Sequence, residues 1–424
     1  MIDVIRRLLN LFLLHGILPK SMMDVIVKPI VKKRSGNIAD VDNYRGIALS
    51  NSLAKLFESL LMNKLRAYLL TTDNQFGYKA KLGTELCLFS FKEILDYYNK
   101  SNTNVYCCFL DAKGAFDRVN HSKLFDMLFQ RNVPNIYIRI LSHWYSNQQL
   151  CIKWGTTFSE PFKVSNGVRQ GSILSPYLFN VYINGISAKL NSLCIGCICN
   201  NTTVNHLFYA DDMCIFGPSS KGLQELIDCC VSAGKELDII FRTDKCKVMI
   251  FKCRMFSYLK TPNFCLDASV LKEVTSFKYL GHIISNDLKD DLDIQRQYKA
   301  IYARGNALIR TFSYCSSPVK NELFKSFLSS LYTCQLWRNF NLYTIRKLFV
   351  AYHGIFKKMH NLPSYSSNSF LFATNYVPTC QELMRKYVYS FKSKVMQSSN
   401  SLVASVRVND QGSKLFTKWS SILY

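Results

Sequence analysis

Nowhere does this chain run to roughly 18 uninterrupted apolar residues, the span a membrane-crossing helix requires, so an integral helical membrane protein is not expected. Its opening, MIDVIRRLLNLFLLHGILP, sets two arginines ahead of an apolar run in imitation of a signal peptide. Asn10 breaks that run, His15 ends it and no small-residue cleavage site follows, so no leader is expected either. Cysteine is plentiful, with 16 in all, but it lacks a framework. The pairs Cys107-Cys108 and Cys229-Cys230 read as apolar filler. In CIGCIC, Cys194 and Cys197 have a zinc-like spacing with Cys199 beside them. No second pair stands at a matching distance, and the stretch reads as an apolar strand running into a turn at Asn200 and Asn201. Scattered thiols point to a reducing, intracellular compartment. No internal repeat is found. Acidic side chains are few: 29 Asp plus Glu face 53 Lys plus Arg, a net charge of +24. That surplus predicts a polyanionic partner, although anionic membranes and nucleic acids attract it equally.

What is present bounds the fold. At 424 residues the chain suffices for a sizeable core and two or three domains. Its 29 Phe and 24 Tyr supply rings for stacking on bases, although core packing employs most such rings. The pattern predicts an amphipathic helix at the start, a turn at Gly16 to Pro19, a strand VIVKPIV and a basic loop KKRSG. A helix follows with Ser52 as N-cap and an apolar face of Leu53, Leu56, Phe57, Leu60 and Leu61. Further helices are expected at Thr84 to Asn99, at Ser122 to Arg131, after Ser175 as a cap with Pro176 in first position, and over GLQELIDCCVSAGKELDII. Strands are expected at VYCCFL, KVMIF and FKYLGHIIS. Beyond residue 290 the chain reads as a separate basic, helical region.

Three acids stand out. Asp111 closes the apolar strand VYCCFL, where an uncompensated charge is costly. Asp211 and Asp212, in HLFYADDMCIFG, lie between two short apolar strands, 207–210 and 213–216, at the tip of a tight hairpin. Two carboxylates that close repel unless a proton or cation intervenes, and oxygen-only ligands favour a hard ion such as magnesium. On this stretch alone an exposed acidic turn serves equally well.

The order of these features carries a resemblance. NYRGIALSNSLAKLFESLL, QFGYKAK, FLDAKGAFDRVNHSKLF, NGVRQGSILSPYLFNVYING, FYADD and FKYLGHIIS resemble, in sequence, the blocks of non-LTR (LINE-type) retrotransposon reverse transcriptases. Coverage runs from about Ile17 to Ser285. The resemblance implies a mixed α/β (α+β) fold: an N-terminal extension over 1–40, fingers and palm with an antiparallel palm sheet over 41–285, and a mostly helical, basic thumb-like region over 286–424. It implies RNA-directed DNA synthesis from a primer 3′-hydroxyl and deoxynucleoside triphosphates. Two magnesium ions would be held by Asp111, Asp211 and Asp212. Phe116 matches the aromatic gate that excludes a ribose 2′-hydroxyl. Gln170 and Gly171 match the loop at the incoming nucleotide and template. Arg45, Lys79 and Lys81 match finger positions that meet the triphosphate, Lys245 matches a lysine proposed to protonate pyrophosphate, and Tyr279, Leu280 and Gly281 match the primer grip. Partners would be an RNA template, a DNA primer and the nucleotides, with no membrane, in a ribonucleoprotein of the nucleus or cytoplasm.

Some blocks depart from the family's pattern. Lys113 and Gly114 stand where Ser-Lys is common, which adds flexibility beside Asp111. Arg242 stands where asparagine is usual, and GYKAKLG replaces a Gly-Arg-Ser pattern, exchanging arginine's fork for point charges. No endonuclease ahead of the polymerase and no terminal Cys/His knuckle are expected from the sequence given. The rival reading is a truncated, inactive element copy that only binds RNA. A third is membrane-surface binding by the basic N-terminal helix.

Overall fold

In a computed structural model of the chain, residues 1–253, 262–408 and 414–423 are described. The strand Val105–Asp111 organises the fold. Cys107, Cys108, Phe109 and Leu110 are all buried because both faces of the strand are covered, which is why its sequence is an unbroken apolar run rather than an alternation. It is the middle strand of a five-stranded sheet in the order 272–273, 247–251, 105–111, 212–217, 206–209. Pairing is antiparallel except at the outer 272–273 strand. Cys108, Leu110, Met213, Ile215 and Val248 face a core shared with the helices Ser175–Ser192 and Ser220–Glu236. Cys107, Phe109, Cys214, Phe216 and Met249 face a second core built on the helix Thr84–Lys100. That helix is buried from Leu86 through Asp96, so three of its charged groups, Lys92, Glu93 and Asp96, lie inside the protein.

A second sheet flanks the first. Asp24–Val31 pairs antiparallel with Tyr44–Leu49 and parallel with Gln149–Trp154. The boundary expected at residue 40 therefore falls inside a β-hairpin, because VIVKPIV needs the next strand to satisfy its backbone. Among the described residues no helix is long and apolar enough to cross a membrane.

Several local expectations are corrected. Asn51, not Ser52, caps the helix Ser52–Leu65, its side chain accepting from Ala54 N at 2.7 Å. Leu56 and Leu60 are 44% and 45% exposed. The buried stripe is instead Ala54, Phe57, Glu58, Leu61, Met62 and Leu65, a true i, i+3, i+4, i+7 series that an acid in its middle concealed. Ser175 is the first helical residue and Leu174 precedes it as the cap position. FKYLGHIIS is a hairpin, not one strand: Ser276–Tyr279 pairs with His282–Ser285, and Leu280 (φ 45°) and Gly281 (φ 80°) make the two-residue reversal.

The region after residue 290 is not one separate unit. Asp291–Phe312, Ser317–Leu328, Leu342–Met359 and Asn368–Thr374 share a core with Trp337, Phe324, Tyr352, Phe356 and Phe372. The later helices turn back to the palm side. Trp419 stacks on Phe89 at 6.2 Å, Phe391 meets the same ring at 5.9 Å, and Leu402 and Val403 join that core. At the base of the helical region lies a buried charge network. Lys92 pairs with Asp290 and donates to Leu336 O at 3.0 Å. Asp290 accepts from Arg338 N and Asn339 N, at 2.8 and 3.0 Å. Asp293 accepts from Ile283 N (3.0 Å), Arg296 (2.7 Å) and Trp337 Nε1 (2.9 Å), and Arg338 pairs with Glu93 at 2.7 Å.

Candidate active site

Asp111 ends the central strand directly opposite Asp212, the first residue of the neighbouring strand. Tyr209 also pairs with Asp212, which leaves Ala210 (φ 55°) and Asp211 as the two-residue turn between strands. The acids are thus one residue out of their expected places: Asp211 alone is in the turn, and Asp212 belongs to the sheet. The QFG block fixes this turn. Buried Gln75 accepts from Gly77 N and Ala210 N through one oxygen, at 2.8 and 3.0 Å, while Phe76 N donates to Phe208 O at 2.8 Å.

Asp111 and Asp211 line a cleft of about 780 Å³ between the two sheets. Arg45, Tyr78, Phe116, Gln170, Gly171 and Lys245 share its walls, drawn from segments far apart in sequence; Asp212 is not among the lining residues. Asp211 and Asp212 are both exposed, yet the protein packed around them still costs their charged forms some hydration. Burial raises the Asp211 pKa, its own backbone N–H and Arg45 oppose that, and Asp111 adds to it. Asp212 is pushed up to about 6, by burial first and then by Asp211 and Asp111, with Arg45 opposing. The cluster holds more negative charge than its cations balance.

Oxygen donors of this kind fit a hard divalent ion. Among the described residues, however, no group of three or more His, Cys, Asp or Glu side chains is drawn closely enough to hold one as it stands. Asp111 Oδ2 accepts instead from Arg242 Nε at 2.8 Å.

A family profile described as reverse transcriptase (RNA-dependent DNA polymerase) matches residues 31–284, more than half the chain. The chain belongs to the reverse transcriptase family. It is 25% identical over 66% of its length to the Pol polyprotein of the Drosophila melanogaster type-2 retrotransposable element R2DM. It is 23% identical over 95% of its length to the RNA-directed DNA polymerase from mobile element jockey of Drosophila funebris. The chain spans 27% and 45% of the length of these two relatives. These mobile-element relatives accord with the non-LTR retrotransposon resemblance of its blocks. Among solved structures, apo telomerase from Candida tropicalis matches over 92% of this chain and 65% of that one, at 14% identity and a TM-score of 0.49. Reverse transcriptases use divalent metal ions and bind an RNA template and a primer, and the fold seen here is mixed α/β.

The remaining reverse transcriptase positions divide into two groups. Phe116 stacks on buried Phe179 at 4.3 Å with 15° between the rings, so it is held rigidly on the cleft wall. Gln170 O accepts from Ala48 N at 2.7 Å and its amide donates to Asp117 at 3.2 Å. Gly171 has φ +113°, and a Cβ there would meet Ala48 O at 2.9 Å, so only glycine lets this loop lie against the finger strand. Gly114, the departure beside Asp111, has left-handed backbone (φ 56°), and its carbonyl accepts from Asp117 N and Arg118 N. It serves the turn rather than loosening it.

Lys79 and Lys81 are not brought to the cleft. Lys79 Nζ donates to Thr71 O and Thr72 O, at 3.0 and 2.6 Å. Lys81 is exposed outside the cleft. Tyr279 is buried, its hydroxyl donating to Leu207 O at 3.2 Å, and Leu280 O accepts from Tyr332 at 2.9 Å. The side chains of this hairpin anchor it inward.

Sequence reasoning missed Glu58. Wholly buried, it accepts from Arg169 (2.8 Å), Ser172 Oγ (2.7 Å) and Ile173 N (2.8 Å), which grips the loop carrying Gln170 and Gly171 from behind. Arg169 in turn lies over the Trp144 ring at 4.7 Å. The signal was present as an acid inside an apolar helical stripe. Gln75 and Tyr78, the latter at φ 56° with its hydroxyl pKa raised by burial and by Asp211, were missed too.

Proposed function

We propose that this chain is the polymerase part of a non-LTR retrotransposon RNA-directed DNA polymerase, extending a primer 3′-hydroxyl with deoxynucleoside triphosphates on an RNA template. The observation that carries this reading is the convergence of Asp111, Asp211 and Asp212 from two paired strands and their turn, beside a cleft walled by Arg45 and Lys245. Asp111, Asp211 and Asp212 would hold two magnesium ions, whose chemistry when bound is to make the primer hydroxyl a better nucleophile and to neutralise the departing pyrophosphate. Arg45 has the planar fork that suits a triphosphate, and Lys245, on the same cleft, would protonate the leaving pyrophosphate. Phe116, fixed by Phe179 on the cleft wall, would stand against the ribose of an incoming nucleotide, which favours deoxynucleotides. Gln170, tethered through both its backbone and its amide, presents a fixed polar edge to a nucleotide. The basic surplus suits template and primer backbones, with binding that weakens as salt rises. The protein would act inside the cell as a ribonucleoprotein.

The test is primer extension on an RNA template with magnesium, beside Asp211→Asn. Elongated product is expected from the unmodified protein, with a loss of roughly a hundredfold or more in the variant. No product from the unmodified protein overturns the enzyme reading. The Arg242 contact with Asp111 favours a second reading, an inactive copy that retains RNA binding. Salt-sensitive retention of RNA on filters without any extension would mark that outcome.

A further inference from the structure

Arg242 Nε donates to Asp111 Oδ2 at 2.8 Å on the wall of the cleft. The contact is not that of a stray surface arm. Arg242 N donates to Asp111 O at 2.8 Å, Asp111 N donates to Cys246 Sγ at 3.3 Å, and Ala112 bridges Phe241. These tethers bind the 241–246 turn to the end of the central strand, so the base of the arginine side chain is fixed beside the carboxylate. Both partners keep solvent access, at 22% and 42% exposure. A pair so exposed is displaceable, unlike the buried pair of Arg169 and Glu58, at 4% and 1%. The oxygen that Arg242 occupies belongs to the strand-ending acid, while Asp211 and Asp212 beside it are left with surplus negative charge.

We infer that Arg242 is a built-in counter-ion for Asp111. It holds a carboxylate oxygen that a divalent ion needs and swings aside when the ion arrives, and so it sets the metal concentration at which this cleft loads. The inference rests on the polymerase reading, because that reading makes Asp111 a ligand. It deepens that reading in a direction the family assignment does not give. The fixed backbone of Arg242 lets its guanidinium return to Asp111 whenever the ion leaves, so loading and unloading exchange one cation for another without baring the carboxylate.

The experiment titrates the full chain with Mn²⁺, following free ion by electron paramagnetic resonance, for the unmodified protein, Arg242→Gln, Arg242→Lys, Asp211→Asn and Asp111→Asn with and without Arg242→Gln. Thermal unfolding checks that each variant is folded. Arg242→Gln is expected to bind Mn²⁺ about twofold to fivefold more tightly, the scale of one partly exposed ion pair. Arg242→Lys, which keeps charge but loses the fork, is expected in between, and it carries the test if the glutamine variant does not fold. The gain is expected to vanish in the Asp111→Asn background. Equal or weaker affinity on replacing Arg242, with Mn²⁺ binding still sensitive to Asp211→Asn, overturns the inference and leaves the polymerase reading intact. Mn²⁺ binding insensitive to both aspartates overturns the metal site itself, and the inference with it.

Discussion

Asp290 and Asp293, buried at the base of the helical region, and Asp211 and Asp212, exposed at the cleft, are two pairs of aspartates in opposite electrostatic states. Loss of hydration alone would raise all four. For Asp290 and Asp293 it is more than offset, by Lys92 and His282 at the first and by His282 and Arg296 at the second, and both are held well below the usual carboxylate range. For Asp211 and Asp212 it is not offset, and Asp111 adds repulsion. Backbone N–H groups and an indole complete the first pair's hydrogen bonds. The difference separates charge that the fold has satisfied for itself from charge left for an incoming cation. Perturbed carboxylates of the second kind mark functional sites, whereas those of the first kind hold elements together.

Breaking the satisfied network should have the largest effect. Lys92→Met strands Asp290 in the interior, and a loss of about 3–5 kcal/mol is expected in urea unfolding. The sign of its pH dependence follows from the depressed carboxyl pKa values. The stability from Asp290 and Asp293 is present above the ordinary carboxylate range and is lost as pH falls through and below it. Glu58 sharpens the comparison, because it serves the cleft yet is satisfied like the first kind. Glu58→Gln should cost about 2–3 kcal/mol by leaving Arg169 under-paired. In primer extension it should raise the nucleotide KM more than it lowers kcat, because the Gln170 loop loosens while the aspartates stay in place.

Asp212→Asn should produce the smallest change and the opposite sign. A raised carboxyl pKa means that the folded metal-free protein retains a proton the unfolded chain gives up. The wild type therefore loses stability as pH rises from the ordinary Asp value toward about 6. The variant escapes that loss: its unfolding midpoint should match the wild type near pH 4, exceed it by pH 7 and stay ahead above. A midpoint below the wild type at pH 7 would mean that Asp212 is satisfied after all.

Much of this contrast was legible in the sequence on one side only. An acid closing VYCCFL and two acids between apolar strands announce uncompensated charge, because nothing in those runs can pair with it. The Lys92 network gave no such signal, since its members lie on a helix, a hairpin and a later loop, and ordinary charged residues look solvated until the fold buries them together. Short-range geometry was also hidden. FKYLGHIIS reads as a strand because Leu280 is apolar, and only its backbone, not its chemistry, makes it half of a turn. Glu58 was lost because an acid at a core position breaks the periodicity used to find the core. Lys79 and Lys81 match finger positions by their place in the sequence alone, which carries no sign that the Thr71 and Thr72 carbonyls occupy Lys79.

The return of Trp419 to Phe89 has a consequence in time. Asp73 receives hydrogen bonds from Ser401, 328 positions along the chain, and the tryptophan lies farther still. During synthesis the apolar back of the Thr84–Lys100 helix therefore stays uncovered until Trp419 has left the ribosome. A fold whose cleft-bearing sheet is made so long before the segment that seals it completes slowly, and it exposes a sticky surface to chaperones and to its neighbours meanwhile.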